Sequence, residues 1–217
     1  MVKSKFEPDP MESVAPSGLT GTGSAEPRTQ AARRTETRAA LMAAARAMFA
    51  ERGFAGAARE DIVAKAGVTR GAMYHHFESK QALFQAVFEA VERELCDAIA
   101  LAAMADPDPV EQLRLGARAF LENASTLEVR RIVLLDGPSV LDPQVRRTLS
   151  ERYGLGLVRE SLRAIESAGR LTLGPVDALA AITMAAMHEA ATAVAEGANA
   201  NDHESIVLAL IDRITKD

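Results

Sequence analysis

Between Asp61 and Phe84 the chain reads DIVAKAGVTRGAMYHHFESKQALF, and no other stretch restricts the fold so tightly. Apolar residues recur at helical spacing on either side of Gly67, which permits a turn that a Cβ would strain. The pattern predicts a short helix from about Arg59 to Lys65 and a second from about Thr69 to His76, with Thr69 as the cap of the second. Ile62, Ala66, Val68, Met73 and Phe77 form the inward side. Two short helices joined by a glycine turn and packed on a longer first helix are the arrangement that lays its second helix in the major groove of duplex DNA.

The outward residues of that second helix fit such a task. Arg70, in its first turn, has the fork geometry that pairs with guanine O6 and N7, and Gly71 and Ala72 let the backbone approach base edges. Tyr74 and His75 can donate to phosphates, and Lys80 stands in the first turn of the next helix, where the helix dipole also favours a phosphate. Such contacts position a protein on DNA rather than read its sequence. The charge distribution agrees. From Arg28 to Lys80 there are ten Lys and Arg against five Asp and Glu, a net of +5, although the whole chain carries -5. The positive charge is confined to one unit, flanked by segments of -2 (residues 1 to 27) and -8 (residues 81 to 217).

The rest of the chain reads as helix throughout. Aromatic residues make up 4% of the 217 residues and Trp is absent, while Ala, Leu, Glu and Arg dominate, so an all-α fold of about nine helices is expected. Residues 1 to 30 are rich in Pro, Ser, Gly and Thr without apolar periodicity, and are expected to form a disordered arm. From Arg33, Leu41, Ala45, Met48 and Phe49 mark the first helix, which Gly53 ends. Ser79 caps a long helix with Leu83, Val87, Val91, Leu95 and Ile99 on one face, stopped by ADPDP at 105 to 109. Further helices are predicted over 110 to 120, over 126 to 135, from Asp142 and Pro143 to Gly169, from Pro175 to Gly197, and after Asp202. The organisation is thus an arm (1–30), a helix-turn-helix unit (31–80) and a helical C-terminal domain (81–217). The single cysteine, Cys96, forms no internal disulfide, no window holds ~18 consecutive apolar residues, and the first residues lack the apolar core of a secretion signal; together these point to the cytoplasm and to no membrane.

Residues 33 to about 88 resemble the N-terminal DNA-binding domain of the tetracycline-repressor (TetR) family of bacterial regulators. ERGF at 51 to 54, DIVAKAGVTRGAMYHHFESKQALF at 61 to 84 and the long helix behind them carry the resemblance. It implies a homodimeric, ligand-responsive regulator, a repressor on a palindromic operator, with Arg70, Gly71, Tyr74, His75 and Lys80 at family DNA-contact positions; Arg59 and Thr69 are the further DNA-binding candidates. One departure stands at Ala57 and Ala58, where the family has a Thr or Ser pair opening the second helix; Arg59 replaces that hydroxyl contact electrostatically. LLDGPSVLDP and RYGLGL are similar to one C-terminal subgroup.

In such regulators the C-terminal domain dimerises and encloses a small-molecule pocket. Ile206, Val207, Leu208, Leu210, Ile211 and Ile214 cover more than one face of the last helix, which fits a homodimer through residues 176 to 215. Met104, Phe120, Tyr153, Met184 and His188 are the candidates for lining the pocket, although Met and aromatic residues at helical spacing are also ordinary core. The apolar segments lack clustered charge, so the expected effector is small and apolar. Two other functions stay open: an all-α enzyme using His188, Glu189, Tyr153 and Asp136, or a helical adaptor that binds only protein. Against catalysis, there is no H-E-x-x-H, no G-x-S-x-G and no phosphate-binding glycine loop, and His75, His76, His188 and His203 lack metal-ligand spacing, so neither metal nor cofactor is expected.

Overall fold

The structure, a computed structural model, describes residues 29–216. The expected arm lies outside the described residues apart from Thr29 and Gln30, which belong to the first helix: the Thr29 hydroxyl accepts from Ala32 N, and the helix begins at Gln30, three residues before the predicted Arg33. The helices are α1 (Gln30–Gly56), α2 (Arg59–Lys65), α3 (Arg70–His76), α4 (Lys80–Ala103), α5 (Pro109–Ala124), α6 (Gly137–Val140), α7 (Pro143–Arg152), α8 (Gly154–Ser167), α9 (Val176–Ala195) and α10 (Ala200–Ile214). A π-helical segment, Val129–Asp136, precedes α6. Among the described residues the β pairing is limited to an isolated bridge between Leu171 and Thr215 that ties the end of α10 to the loop before α9.

Local chemistry sets most boundaries. Thr69, Ser79, Asp108, Asp142 and Asn199 each accept a backbone N–H with a side-chain oxygen at the start of a helix. Gly53 has φ 71°, outside helical space, so α1 bends there and Phe54 folds back onto Phe49 and Phe84, with ring centroids 5.9 and 5.2 Å away. α2 opens at Ala58 without a side-chain cap, and Glu60 and Asp61 in its first turn offset the dipole instead.

Two expectations change. The predicted helix from Pro143 to Gly169 is two helices, because Tyr153 (φ -111°, ψ -99°) leaves helical geometry between α7 and α8. The last helix starts at Ala200 rather than after Asp202, with Asn199 bonding the N–H groups of Asn201 and Asp202. α9 is long and apolar enough by length and composition to cross a membrane, although Asp177, His188 and Glu189 interrupt its apolar run, as the sequence shows. Its small residues let it pack against α5, α8, α10 and the π-helical segment.

α4 joins the two halves. Leu83, Phe84 and Val87 pack with α1 beneath the helix-turn-helix, while Leu95 and Ile99 face α5 and the C-terminal bundle.

Candidate nucleic-acid interface and internal cavity

α3 is fixed from within by Met73 and Phe77, both buried, and from its start by Thr69. This leaves Arg70, Gly71, Tyr74 and His75 exposed together, with Arg59 of α2 beside them. Arg59 Nη1 donates to the Tyr74 hydroxyl at 3.1 Å, and the Arg70 guanidinium stands 6.0 Å from the Tyr74 ring, so one tyrosine is bracketed by two cations. Arg70 also lies 3.7 Å from Glu60, a loose, exposed pair that a phosphate or base edge can displace at small cost.

Gly71 is the informative residue of this face. A Cβ there would meet nothing nearer than Thr69 Oγ1 at 4.0 Å, so the protein's own packing does not require glycine. Glycine inside a helix is nevertheless less stable than alanine by ~1 kcal/mol. A further basic patch, which the sequence reading missed, borders an open cleft between the start of α1 and the end of α3: Arg33, Arg34, His75 and His76. Partial burial, then Arg34, Arg38 and His75, push the His76 pKa down. Arg33 and Arg34 are remote from the motif in sequence, and only the packing of α1 against α3 brings them to it.

Lys80 departs from its expected role. Its ammonium donates to the carbonyl oxygens of Phe54 at 2.7 Å and Ala57 at 3.0 Å and sits 4.3 Å from the Phe54 ring. Burial and the neighbouring Arg59 lower its pKa. It ties the α1–α2 turn to α4 and is not a free phosphate-binding group.

Contacts also run from this unit into the C-terminal half. Phe54 N donates to Asp136 Oδ2 at 2.6 Å, and Arg131 pairs with the same oxygen at 3.4 Å, both acids and bases coming from the π-helical segment. Arg46 of α1 bonds Glu94 of α4 and Glu128, each at 2.9 Å, and Gln81 Nε2 donates to the Val140 carbonyl at 2.6 Å. Asp136, the last residue of the π-helical segment, therefore holds the end of α1.

A narrow cavity of about 50 Å³ lies among α4, α5, α8, α9 and the π-helical segment, and it shares Glu92, Val133, Met184 and His188 with a wider, more open cleft beside it. Its wall is largely apolar: Leu95, Ile99, Leu113, Ala117, Val133, Leu157, Val158 and Met187. Phe120, Met184 and His188 line it as well, and the Phe120 and His188 rings stack at 5.5 Å and 13°. Burial, and secondarily Arg146, lower the His188 pKa, which keeps the imidazole neutral. The other two pocket candidates do not reach it. Met104 is 77% exposed at the end of α4, and the Tyr153 hydroxyl donates to Glu89 at 3.0 Å on the flank of that helix. Glu92, Cys96, Gln112 and Ser161 supply the polar lining, and nothing in their spacing marked them. Burial and the nearby acids Glu92 and Asp97 push the Cys96 thiol up to about 12, so it stays protonated.

On the opposite side of α9, Ile182 (68% exposed) faces the same apolar groove as Leu210 (49% exposed) of α10.

Residues 41–87 match the profile of bacterial regulatory proteins of the tetR family, and residues 110–216 that of the tetracyclin repressor-like C-terminal domain. Among curated proteins the chain is similar to the transcriptional regulator CymR of Pseudomonas putida, 36% identical over 126 residues, which is 56% of this chain and 62% of CymR. The repressor AcnR of Corynebacterium glutamicum is 30% identical over 138 residues, 58% of this chain and 70% of AcnR. Several other curated relatives are matched over only about half their length, as with BepR of Brucella suis at 47%. A solved TetR-family regulator from Pectobacterium atrosepticum superposes with a TM-score of 0.72 at 32% identity, covering 88% of this chain and 99% of that one. The exposed α3, the bundle behind it and these likenesses over both halves establish that the chain belongs to the TetR family of bacterial regulatory proteins.

Proposed function

We propose that the protein is a homodimeric transcriptional repressor that binds a palindromic operator through α3 of each protomer and leaves it when a small molecule fills the cavity. Residues 31–80 act as the DNA-binding unit and residues 81–217 as the effector and dimerisation domain, in the cytoplasm. The observation that carries the reading is the face made by Arg59, Arg70, Gly71, Tyr74 and His75, which is exposed, basic and built around a glycine that the fold does not need. Dimerisation through α9 and α10 rests on Ile182, Ile206 and Leu210, large apolar side chains left exposed on adjacent helices.

The same contacts supply a route for release. Two recognition helices must enter successive major grooves about 34 to 36 Å apart, so a small rotation of either spoils the fit. α4 carries Glu92, Leu95 and Ile99 on the cavity and Lys80 under the helix-turn-helix; the π-helical segment carries Val133 on the cavity and Asp136 against Phe54 N. An occupant that shifts either element moves the DNA-binding unit. Reciprocity then requires operator DNA to weaken effector binding by the same factor, typically about 5- to 150-fold.

The test is fluorescence anisotropy with duplexes drawn from the DNA flanking the coding sequence, repeated across salt concentrations. Binding should weaken steeply with salt, and Arg70→Ala should weaken the cognate duplex by ~1 to 3 kcal/mol and flatten preference at one base pair per half-site. Full discrimination by Arg70→Ala at every position would remove Arg70 as a base reader, and failure to bind any duplex would remove the function.

A further inference from the structure

Glu92 is an anomaly in the cavity wall. The residue is only 6% exposed, and no hydrogen bond or ion pair with a described residue satisfies its carboxyl group. Around it are Leu95, Val133 and Met184; no Lys or Arg lines the cavity, and the adjoining cleft that Glu92 also borders carries Arg146 and Glu189, neither of them bonded to it. An isolated carboxylate in such surroundings is strongly disfavoured unless a donor or a cation meets it.

We propose that Glu92 is the recognition group of the cavity, and that the molecule it takes is a flat aromatic compound bearing a protonated amine, with the ammonium on the Glu92 carboxylate and the ring against the Phe120–His188 pair. This rests on the reading of the cavity as the effector site and replaces the purely apolar effector expected from the sequence. Four observations support it. Glu92 is the sole acid in the lining, and none of the other polar groups there (Cys96, Gln112, Ser161, His188) supplies an opposite charge to it. Glu89, one turn earlier on α4, adds negative potential although it pairs with Arg152 outside the cavity. Burial and that acid push the Glu92 carboxyl up to about 7, and a cation bound beside it would draw it back down. The stacked rings of Phe120 and His188, with the thioethers of Met184 and Met187 beside them, suit an aromatic body. An anion would face like charge, and a purely apolar guest would bury the carboxylate unpaired. A charge-assisted hydrogen bond removes that penalty and is roughly twice as strong as a neutral one.

Three probes of one shape separate these cases: 2-(aminomethyl)naphthalene, 2-(hydroxymethyl)naphthalene and 2-naphthoate, titrated calorimetrically into the full-length protein and into Glu92→Gln at pH 8. The amine should bind at least about tenfold tighter than the alcohol, with naphthoate weakest, and Glu92→Gln should reduce the amine to the affinity of the alcohol. An alcohol or naphthoate that binds as tightly as the amine overturns the proposal, as does an amine preference that survives in Glu92→Gln. Should the variant not fold, the probe order on the unmodified protein still decides. Duplex binding is measured on the same preparations. Loss of the charge preference with duplex binding intact removes only the proposed ligand class, whereas absence of duplex binding removes the regulatory reading itself.

Discussion

A side chain added at Gly71 on α3 would enter open space, whereas one added at Gly137, where the π-helical segment passes into α6, would meet Phe88 Cε2 at 2.6 Å and the Ile132 carbonyl oxygen at 3.1 Å. The first glycine is unexplained by the protein's interior and the second is explained by it completely. The difference separates the two halves of the molecule. The outward face of the helix-turn-helix, proposed to meet DNA, carries exposed residues, and Gly71 among them meets no packing demand. The C-terminal bundle answers mainly to its own packing. Glu92 crosses this division, since it lies deep inside the bundle and yet nothing in the bundle wants a carboxylate there.

That exception gives the largest expected effect. The Glu92 carboxyl is raised from 4.5 to about 7 by burial and by Glu89. Below pH 4.5 it is protonated in both folded and unfolded chains and brings no penalty. As pH rises to about 7 the unfolded chain gives up the proton more readily, so the folded state loses stability through that window, by ~3 kcal/mol in all. Cys96, Glu89, His188, and Arg146 and Glu189 at the adjoining cleft are the charged or titratable groups around it. Glu92→Gln should therefore unfold at higher denaturant than the unmodified protein above pH 7, with the gap closing toward pH 4.5. A gap that is absent, or that widens as pH falls, would return Glu92 to ordinary structure.

Gly137→Ala comes next. Both neighbours are fixed, one a backbone oxygen and the other a ring that is 4% exposed, so neither can yield cheaply. Overpacking should lower stability by ~1 to 3 kcal/mol. Because the π-helical segment also carries Asp136, the same substitution should loosen the grip on Phe54 N, read as faster hydrogen exchange at that amide. Unchanged stability would mean that the C-terminal half tolerates a side chain that its packing leaves no room for, and the contrast with Gly71 would fail.

The two halves also differ in how far the sequence discloses them. The helix-turn-helix was legible almost residue by residue, because Gly67, Thr69, Phe77 and Ser79 fix it through local turn and cap chemistry within twenty positions. Lys80 escaped because its partners, the carbonyls of Phe54 and Ala57, depend on how α1 bends at Gly53. The cavity was legible only in part. Phe120, Met184 and His188 come to it from α5 and α9, but so do Glu92 from α4 and Ser161 from α8, and periodicity cannot tell which helix faces converge. Tyr153 was misplaced for a related reason: the break between α7 and α8, invisible in the helical pattern, turns its hydroxyl toward Glu89.

The smallest expected change tests the comparison at its other end. Gly71→Ala should raise stability by ~0.5 to 1 kcal/mol, because alanine restricts the unfolded chain and favours the helix. The new methyl group would stay 4.0 Å from Thr69 Oγ1, so the cap on Ala72 N should survive. On DNA the sign should reverse. If the backbone of α3 approaches base edges at Gly71, a methyl group there holds the helix off and weakens the contacts of Arg70 and Tyr74 on either side, lowering operator affinity. Thermal melts and anisotropy on one preparation read both quantities. Opposite signs would show that a folding deficit at this position is maintained for a partner outside the chain. A variant that is more stable and binds its operator at least as well would place the recognition surface away from Gly71.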